Sequence, residues 1–217
     1  SLKFRTTLTL IDGYGHLLER LDYEQHEREW NQHLVTLTSD LLSAYPNGEQ
    51  LRAFLEIMLA NIEQNYAGGS ASPYVLYGML IQSSNVLAQA TAENALQDAG
   101  SRTKQFTGIA LSKLMSDDHA YGLTVARKFI ETDLPELLTA IGRAYSTLDL
   151  KDDGYTEEDL TLLRGVLSSK DQWVARNGIE AIRSVAKNNK PLAIDLLKYV
   201  DISISSKVAD EVLNLFQ

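Results

Sequence analysis

The sequence predicts an all-α fold. Apolar residues recur at steps of three and four through nearly every segment after the first dozen residues, which is the helical period. Sustained two-residue alternation, the mark of a half-buried strand, is almost absent. The breaks between periodic segments carry proline, Asn-Gly or a capping side chain, as helix ends require.

The one strand-like stretch, Leu2, Phe4, Thr6, Leu8 and Leu10, reads equally as an extended arm or a frayed helix. From Tyr14 a short helix carries Leu17, Leu18 and Leu21. In the longer helix that follows, Trp30, Leu34, Leu37, Leu41 and Ala44 form a narrow, heptad-like stripe. Tyr45-Pro46-Asn47-Gly48 is a turn, because proline stops the helix and Asn-Gly tolerates positive φ. The next helix buries Leu51, Phe54, Leu55, Met58 and Ile62. It ends before Ala67-Gly68-Gly69-Ser70-Ala71-Ser72-Pro73, the best internal boundary. A long helix from Pro73 to near Gly100 turns Val75, Leu76, Met79, Leu80, Leu87 and Ala90 inward. Gln64 to Ala92 holds no charged residue, but Gln82, Ser83, Ser84, Asn85 and Gln89 interrupt its apolar positions, so it does not read as a membrane span.

Segments around 102–115 and 118–131 bury Phe106, Ile109, Ala110 and Leu114, then Tyr121, Val125, Phe129 and Ile130. The clearest period is Leu134, Leu137, Leu138, Ile141, Ala144, Tyr145 and Leu148, introduced by Asp133 as a cap with Pro135 in the first turn. After Lys151-Asp152-Asp153-Gly154, Thr156 starts a helix with Glu157, Glu158 and Asp159 at its positive end. Ala175, Gly178, Ile179, Ile182, Val185 and Ala186 then make one stripe opposite Arg176, Glu180, Arg183 and Lys187. A helix from Pro191 carries Leu192, Leu196 and Tyr199, and a final one offers Ile204, Val208, Ala209, Val212, Leu213 and Phe216.

Asp171-Gln172-Trp173-Val174-Ala175-Arg176, followed by Ile179, Ile182 and Val185 and a short second helix from Pro191, resembles the first helix and turn of a HEAT-type repeat. In that armadillo-type superfamily an aspartate and an arginine near the turn typically bind the turns of neighbouring repeats. Ser206-Lys207-Val208-Ala209 through Phe216 is similar to the start of a next unit, and Val174 to Val208 is a step of 34 residues, a helix-pair period. Val125-Ala126-Arg127-Lys128-Phe129-Ile130-Glu131 echoes Val174 to Glu180 with five identities in seven at a step of 49. The resemblance covers roughly 101–217 and implies helical hairpins stacked as a HEAT-like α-solenoid. The organisation expected is 1–67 as an N-terminal helical segment, 68–73 as a Gly/Ser-rich loop and 74–217 as HEAT-like repeats. Residues 1–100 are either divergent repeats or a separate helical bundle.

No catalytic constellation survives comparison with its structural alternative. Glu29 and His33 share a helix face with His26 nearby, but a zincin needs His-Glu-x-x-His and Trp30 stands at the second histidine, so the segment reads as a solvated polar face. Asp149 to Gly154 fails as a calcium loop, since Lys151 and Leu160 occupy ligand positions. Gly13-Tyr14-Gly15 lacks the third glycine of a dinucleotide site, and no phosphate loop or nucleophile elbow is present. Asp117-Asp118-His119 reads as helix-cap chemistry before it reads as an acid–base cluster. The absence of cysteine removes disulfides, thiolate nucleophiles and cysteine-ligated zinc. No catalytic, cofactor-binding or metal residue is therefore assigned, and no cofactor is expected.

The formal net charge of −9 over 217 residues disfavours nucleic acid, and most of it lies in residues 1–100, which carry −7. A chain starting Ser1-Leu2-Lys3-Phe4 and ending on an apolar segment is expected to be a piece of a longer protein, and no apolar run after a basic start marks a signal peptide. A cytoplasmic protein that does not associate with membranes, and a scaffold before an enzyme, is the expectation. The function expected is a scaffold binding a protein or peptide, or other domains of its parent chain, on a curved helical surface. With 171–187 as an outer helix, Asp133–Leu148 and Pro191–Val200 would form the inner face, and Arg143, Lys198 and Tyr199 are the candidate contacts. The alternative is an all-α enzyme or metal-binding bundle using the N-terminal His and Glu residues.

Overall fold

The computed structural model describes residues 36–65, 72–98, 100–148 and 154–215. Among these the regular structure is helical, with no strand. They fall into two compact units, Ser1–Leu87 and Ala88–Gln217.

In the first unit, α1 covers 36–44, α2 Gly48–Asn65 and α3 Ser72–Ser83; the first turn of α4, Asn85–Gln97, also belongs here. The Pro46–Asn47 turn forms as expected, with the Asn47 Oδ1 accepting from the Gln50 N–H at 3.0 Å. Gly48 is already helical, so the turn needs no positive φ. Tyr45 stacks on Phe54 with ring centroids 5.1 Å apart. Leu41, Leu51, Leu55, Leu59, Tyr77, Leu80 and Ile81 are buried. The single long helix expected from Pro73 is broken at Ser84, whose Oγ accepts from the Leu87 N–H at 3.3 Å and starts α4. Ser83 and Ser84 compete with the helical backbone for hydrogen bonds, which is how serine ends and begins helices. Val75, expected inward, is exposed.

In the second unit a 3-10 turn, Arg102–Phe106, leads into α5, Thr107–Asp117. Then come α6, His119–Thr132, α7, Pro135–Thr147, and α8, Glu157–Leu167. Next are α9, Gln172–Asn188, α10, Lys190–Leu196, with a 3-10 turn Leu197–Tyr199, and α11, Ser206–Leu213. Each helix from α5 to α9 packs on the next in the chain, and each from α5 to α11 packs on the helix two places away. The result is two rows: α5, α7, α9 and α11 in one, α6, α8 and α10 in the other. The most extensive packing is α7 on α9, followed by α5 on α7.

Local chemistry sets these boundaries. Asp118 caps α6 by accepting from the Tyr121 N–H at 3.0 Å, and Asp171 caps α9 through the Trp173 and Val174 N–H groups at 2.8 and 3.1 Å. Thr156 and Asp159 form a reciprocal capping box on α8. Asp133 does not cap α7. Pro135 opens that helix and Leu134 is its extended N-cap, while Asp133 turns left-handed at φ 53° and ends α6. The rest of the α7 period is as expected, with Leu137, Leu138, Ile141, Ala144, Tyr145 and Leu148 buried, but Leu134, expected in the same stripe, is at the surface. The α9 stripe is buried through Ala175, Ile179, Ile182 and Val185, the isoleucines and the valine contributing roughly 1.5–3 kcal/mol each. In α11 only Val208 is buried, and Leu213 is exposed.

The first row is close because glycine stands at its crossings. A Cβ on Gly142 would lie 2.8 Å from the Asn177 carbonyl carbon, and one on Gly108 would lie 2.9 Å from the Arg143 Cβ. Gly142→Ala is expected to destabilise by about 1–3 kcal/mol in urea unfolding, since backbone must move to admit the methyl group. Gly165→Ala, where the new Cβ would meet only the flexible end of Ile130, is expected to be neutral or to stabilise by up to about 1 kcal/mol through helix propensity.

Candidate functional site

A groove of about 660 Å³ crosses the first row, lined by the 3-10 turn, by residues near the N-terminal ends of α5 and α9, and by α7 from Pro135 to Arg143. Arg102, Lys104 and Gln105 come from the turn; Glu136, Thr139 and Arg143 from α7; Asp171, Trp173 and Asn177 from the start of α9. The close approaches at Gly108 and Gly142 bring these elements together.

The electrostatics of the groove are local. Lys104 Nζ lies 3.4 Å from the Glu136 carboxylate. The Glu136 carboxyl is held below its usual range by its own backbone N–H and by Lys104, against a smaller opposing effect of burial. The Asp171 carboxylate is committed to its helix cap. Arg143 Nε donates to the Asn177 Oδ1 at 3.2 Å, and Asn177 Nδ2 donates to the Trp173 carbonyl at 2.8 Å. Trp173 is 58% exposed, with the Arg176 guanidinium 5.2 Å from its ring centroid.

Of the three candidate contacts, Arg143 lines this groove and Lys198 and Tyr199 do not. Lys198 pairs with Asp195 at 2.5 Å, and the Tyr199 ring lies under the Arg164 guanidinium, 5.6 Å from its centroid. Both follow α10 in the second row, whereas α7 packs along α9. Asp133–Leu148 and Pro191–Val200 therefore do not share a face with 171–187 on the far side, because 171–187 is the row neighbour of 133–148. Trp173 was legible in the sequence as an aromatic beside a helix start; what the sequence lacked was the pairing that sets it across from Arg143.

A second polar cluster joins the two rows. Asp159, fully buried, accepts from Tyr145 Oη at 2.6 Å, from the Thr156 N–H at 2.8 Å and from the Thr156 hydroxyl at 2.6 Å. His119 Nε2 lies 3.0 Å from the same carboxylate. Burial pushes the Asp159 carboxyl up, but the bonds from Thr156, Tyr145 and His119 outweigh it and hold the group below its ordinary value. Burial and the adjacent Asp159 charge drive the Tyr145 hydroxyl far above the usual phenol range, so it stays a donor. His119 was singled out with Asp117 and Asp118, but the structure divides them: Asp118 caps α6, Asp117 pairs with Lys113 at 2.8 Å, and His119 reaches across to α8. None of the four side chains lines the groove, and the cluster works as a staple.

Among the described residues no three His, Asp or Glu side chains are placed to hold a metal ion, and no helix is long and apolar enough to cross a membrane. His26, Glu29 and His33, the calcium-like Asp149–Asp153 stretch and the Gly13–Gly15 pair lie outside the described residues, as do the strand-like Leu2–Leu10 and Phe216. Comparison with protein-family models, curated proteins and solved structures finds no match for this chain.

Asp159→Asn is expected to destabilise by about 2–3 kcal/mol, because charge-assisted bonds to a buried carboxylate are lost. A carboxyl depressed on folding adds stability above its ordinary pKa of about 3.9, and that stability is lost as pH falls through the lower folded value. Urea midpoints measured from pH 7 to pH 2 are therefore expected to fall less steeply at the acid end in the variant than in the native chain.

Proposed function

We propose that this chain is a non-catalytic helical-repeat interaction module, of HEAT-like solenoid build in its second unit, that holds a protein or peptide partner on the row α5–α7–α9. The observation that carries the proposal is the groove itself: three successive helices of one row supply its walls, with Trp173 exposed on it and Arg143 beside it. Large aromatics and arginine dominate binding energy in protein interfaces, and here one of each stands on the same groove.

The solenoid build is supported by side-chain links between successive helical pairs. Lys104–Glu136, Ser112–Thr147, Arg127–Glu158, Arg143–Asn177, Lys170–Asp201 and Arg176–Glu211 each tie a helical pair to the next, at separations of 31 to 35 residues. Val174 and Val208, the step of 34 noted in the sequence, are both buried on neighbours of the first row. Arg176 reaches the next helix of its row, as the family's arginine does between repeats, while Asp171 is spent on its own helix end. The echo at a step of 49 joins α6 to α9, which lie in different rows, and does not mark the repeat. A protein or peptide is favoured over nucleic acid because the groove's cations are partly neutralised in place. A cytoplasmic location belongs to the same proposal.

A photo-crosslinking residue at Gln105, on the groove, is expected to give a discrete partner adduct in native host extract that is lost on adding Trp173→Ala. The same residue at Lys187, near the far end of α9, is expected to give none. Trp173→Ala should leave thermal stability within about 0.5 kcal/mol of native, as for other exposed sites. Equal adducts at both positions, or adducts indifferent to Trp173, would contradict the proposal.

A further inference from the structure

We infer that the groove selects an extended peptide carrying a carboxylate side chain next to an apolar one, the carboxylate gripped by Arg143 and the apolar side chain laid on Trp173. The inference rests on the interaction-module proposal and names its ligand.

The charge inventory of the groove decides the sign of the ligand. Its two carboxylates are already committed, Glu136 to Lys104 and its own backbone, and Asp171 to the first N–H groups of α9. The helix ends are thus occupied by the chain's own acids and offer an incoming anion little. Arg143 is different. Its Nε is fixed on Asn177 Oδ1, and Asn177 is fixed in turn on the Trp173 carbonyl, so the guanidinium plane is set by two successive hydrogen bonds. Its two terminal amino groups make no described hydrogen bond or ion pair, and the side chain is exposed on the groove. A planar fork held at one end and open at the other is the geometry that takes a carboxylate by two parallel bonds.

The same two hydrogen bonds tie that fork to the Trp173 main chain, because Asn177 joins them, and the indole lines the same groove. An indole with one face toward Arg176 and 58% of its surface in water is a platform for an apolar side chain. The acid and the apolar group of the ligand must therefore be near neighbours. A volume of about 660 Å³ lies within the range of ligand clefts. One open fork suits one anionic side chain; a nucleic-acid backbone, with a charge at every step, calls for a run of cations. The net charge of the chain does not prevent this, since exposed charges more than about 8 Å away are largely screened at physiological salt.

A phage-displayed library of random heptapeptides, selected on the native chain and counter-selected on Trp173→Ala, tests the inference. Expected are sequences with Asp or Glu beside Leu, Ile, Met or an aromatic, bound about tenfold or more weakly by Arg143→Gln, as loss of a charge-assisted pair requires. Arg143→Lys, which keeps the charge without the fork, should fall between the two. Replacing the peptide's Glu by Gln should weaken binding to the native chain and leave binding to Arg143→Gln unchanged. If selected peptides depend on Trp173 but show no acidic preference, the groove is a binding site and the carboxylate inference fails. If no selected peptide depends on Trp173, the interaction-module proposal fails with it. A random twelve-nucleotide single strand that displaces the peptides at equal concentration would also overturn the inference.

Discussion

The second unit depends on how closely α7 approaches its row neighbours. Two glycines make that approach: Gly108 lets α5 sit against Arg143 and Ala140, and Gly142 lets the Asn177 backbone sit against α7. The spacing is a steric constraint before it is an energetic one, because side chains in either place would hold the axes apart and empty the apolar seam between them. With the crossings fixed, Ile141, Ala144, Ile179 and Ile182 are fully buried, and the helix ends come level enough for one groove to run across three of them.

The second row is attached by different means. Phe129, Leu163 and Val166 are buried, but its register against the first row is also set by Asp159, which gathers Thr156, Tyr145 and His119 from three helices. A buried carboxylate with this many donors is costly to misplace, since any other alignment would leave the charge unpaired. It specifies one alignment of α6, α7 and α8. Packing along the first row and pinning between rows set the backbone beneath the groove, and Asn177 ties the Arg143 fork to the Trp173 main chain on it.

Much of this was legible in the sequence, and what was not has a common cause. The helical period gave the elements of the second unit, and the inward residues of α7 and α9, because burial follows spacing within one helix. Thr156 and its three acids marked the start of α8 for the same local reason. The break at Ser84 was missed although Gln82-Ser83-Ser84-Asn85 is rich in cap formers; the apolar residues on either side stay in phase, and phase outweighed capping. Asp133 belongs to the end of α6 and not to the start of α7: an aspartate two residues before a proline suits either role, and its left-handed φ decides between them. His119, Asp159 and Tyr145 were beyond reach since their meeting depends on pairing between rows. Arg143 was named for a face that the structure divides, and its own position on the groove became visible only once α7 was seen beside α9.

The groove stands or falls with the alignment of the first row, and the absence of cysteine makes that alignment directly measurable. Ser112 on α5 and Thr147 on α7 have hydroxyl oxygens 2.9 Å apart, 35 residues apart in sequence, so cysteines in their place need only small rotamer changes to reach disulfide geometry. The Ser112→Cys, Thr147→Cys chain, oxidised mildly in native buffer, is predicted to form an intramolecular disulfide nearly completely, with native helicity retained and a gel shift reversed by reductant. No intramolecular bond in the folded chain, when one forms readily after unfolding in urea, would contradict the alignment of the row and the groove that rests on it.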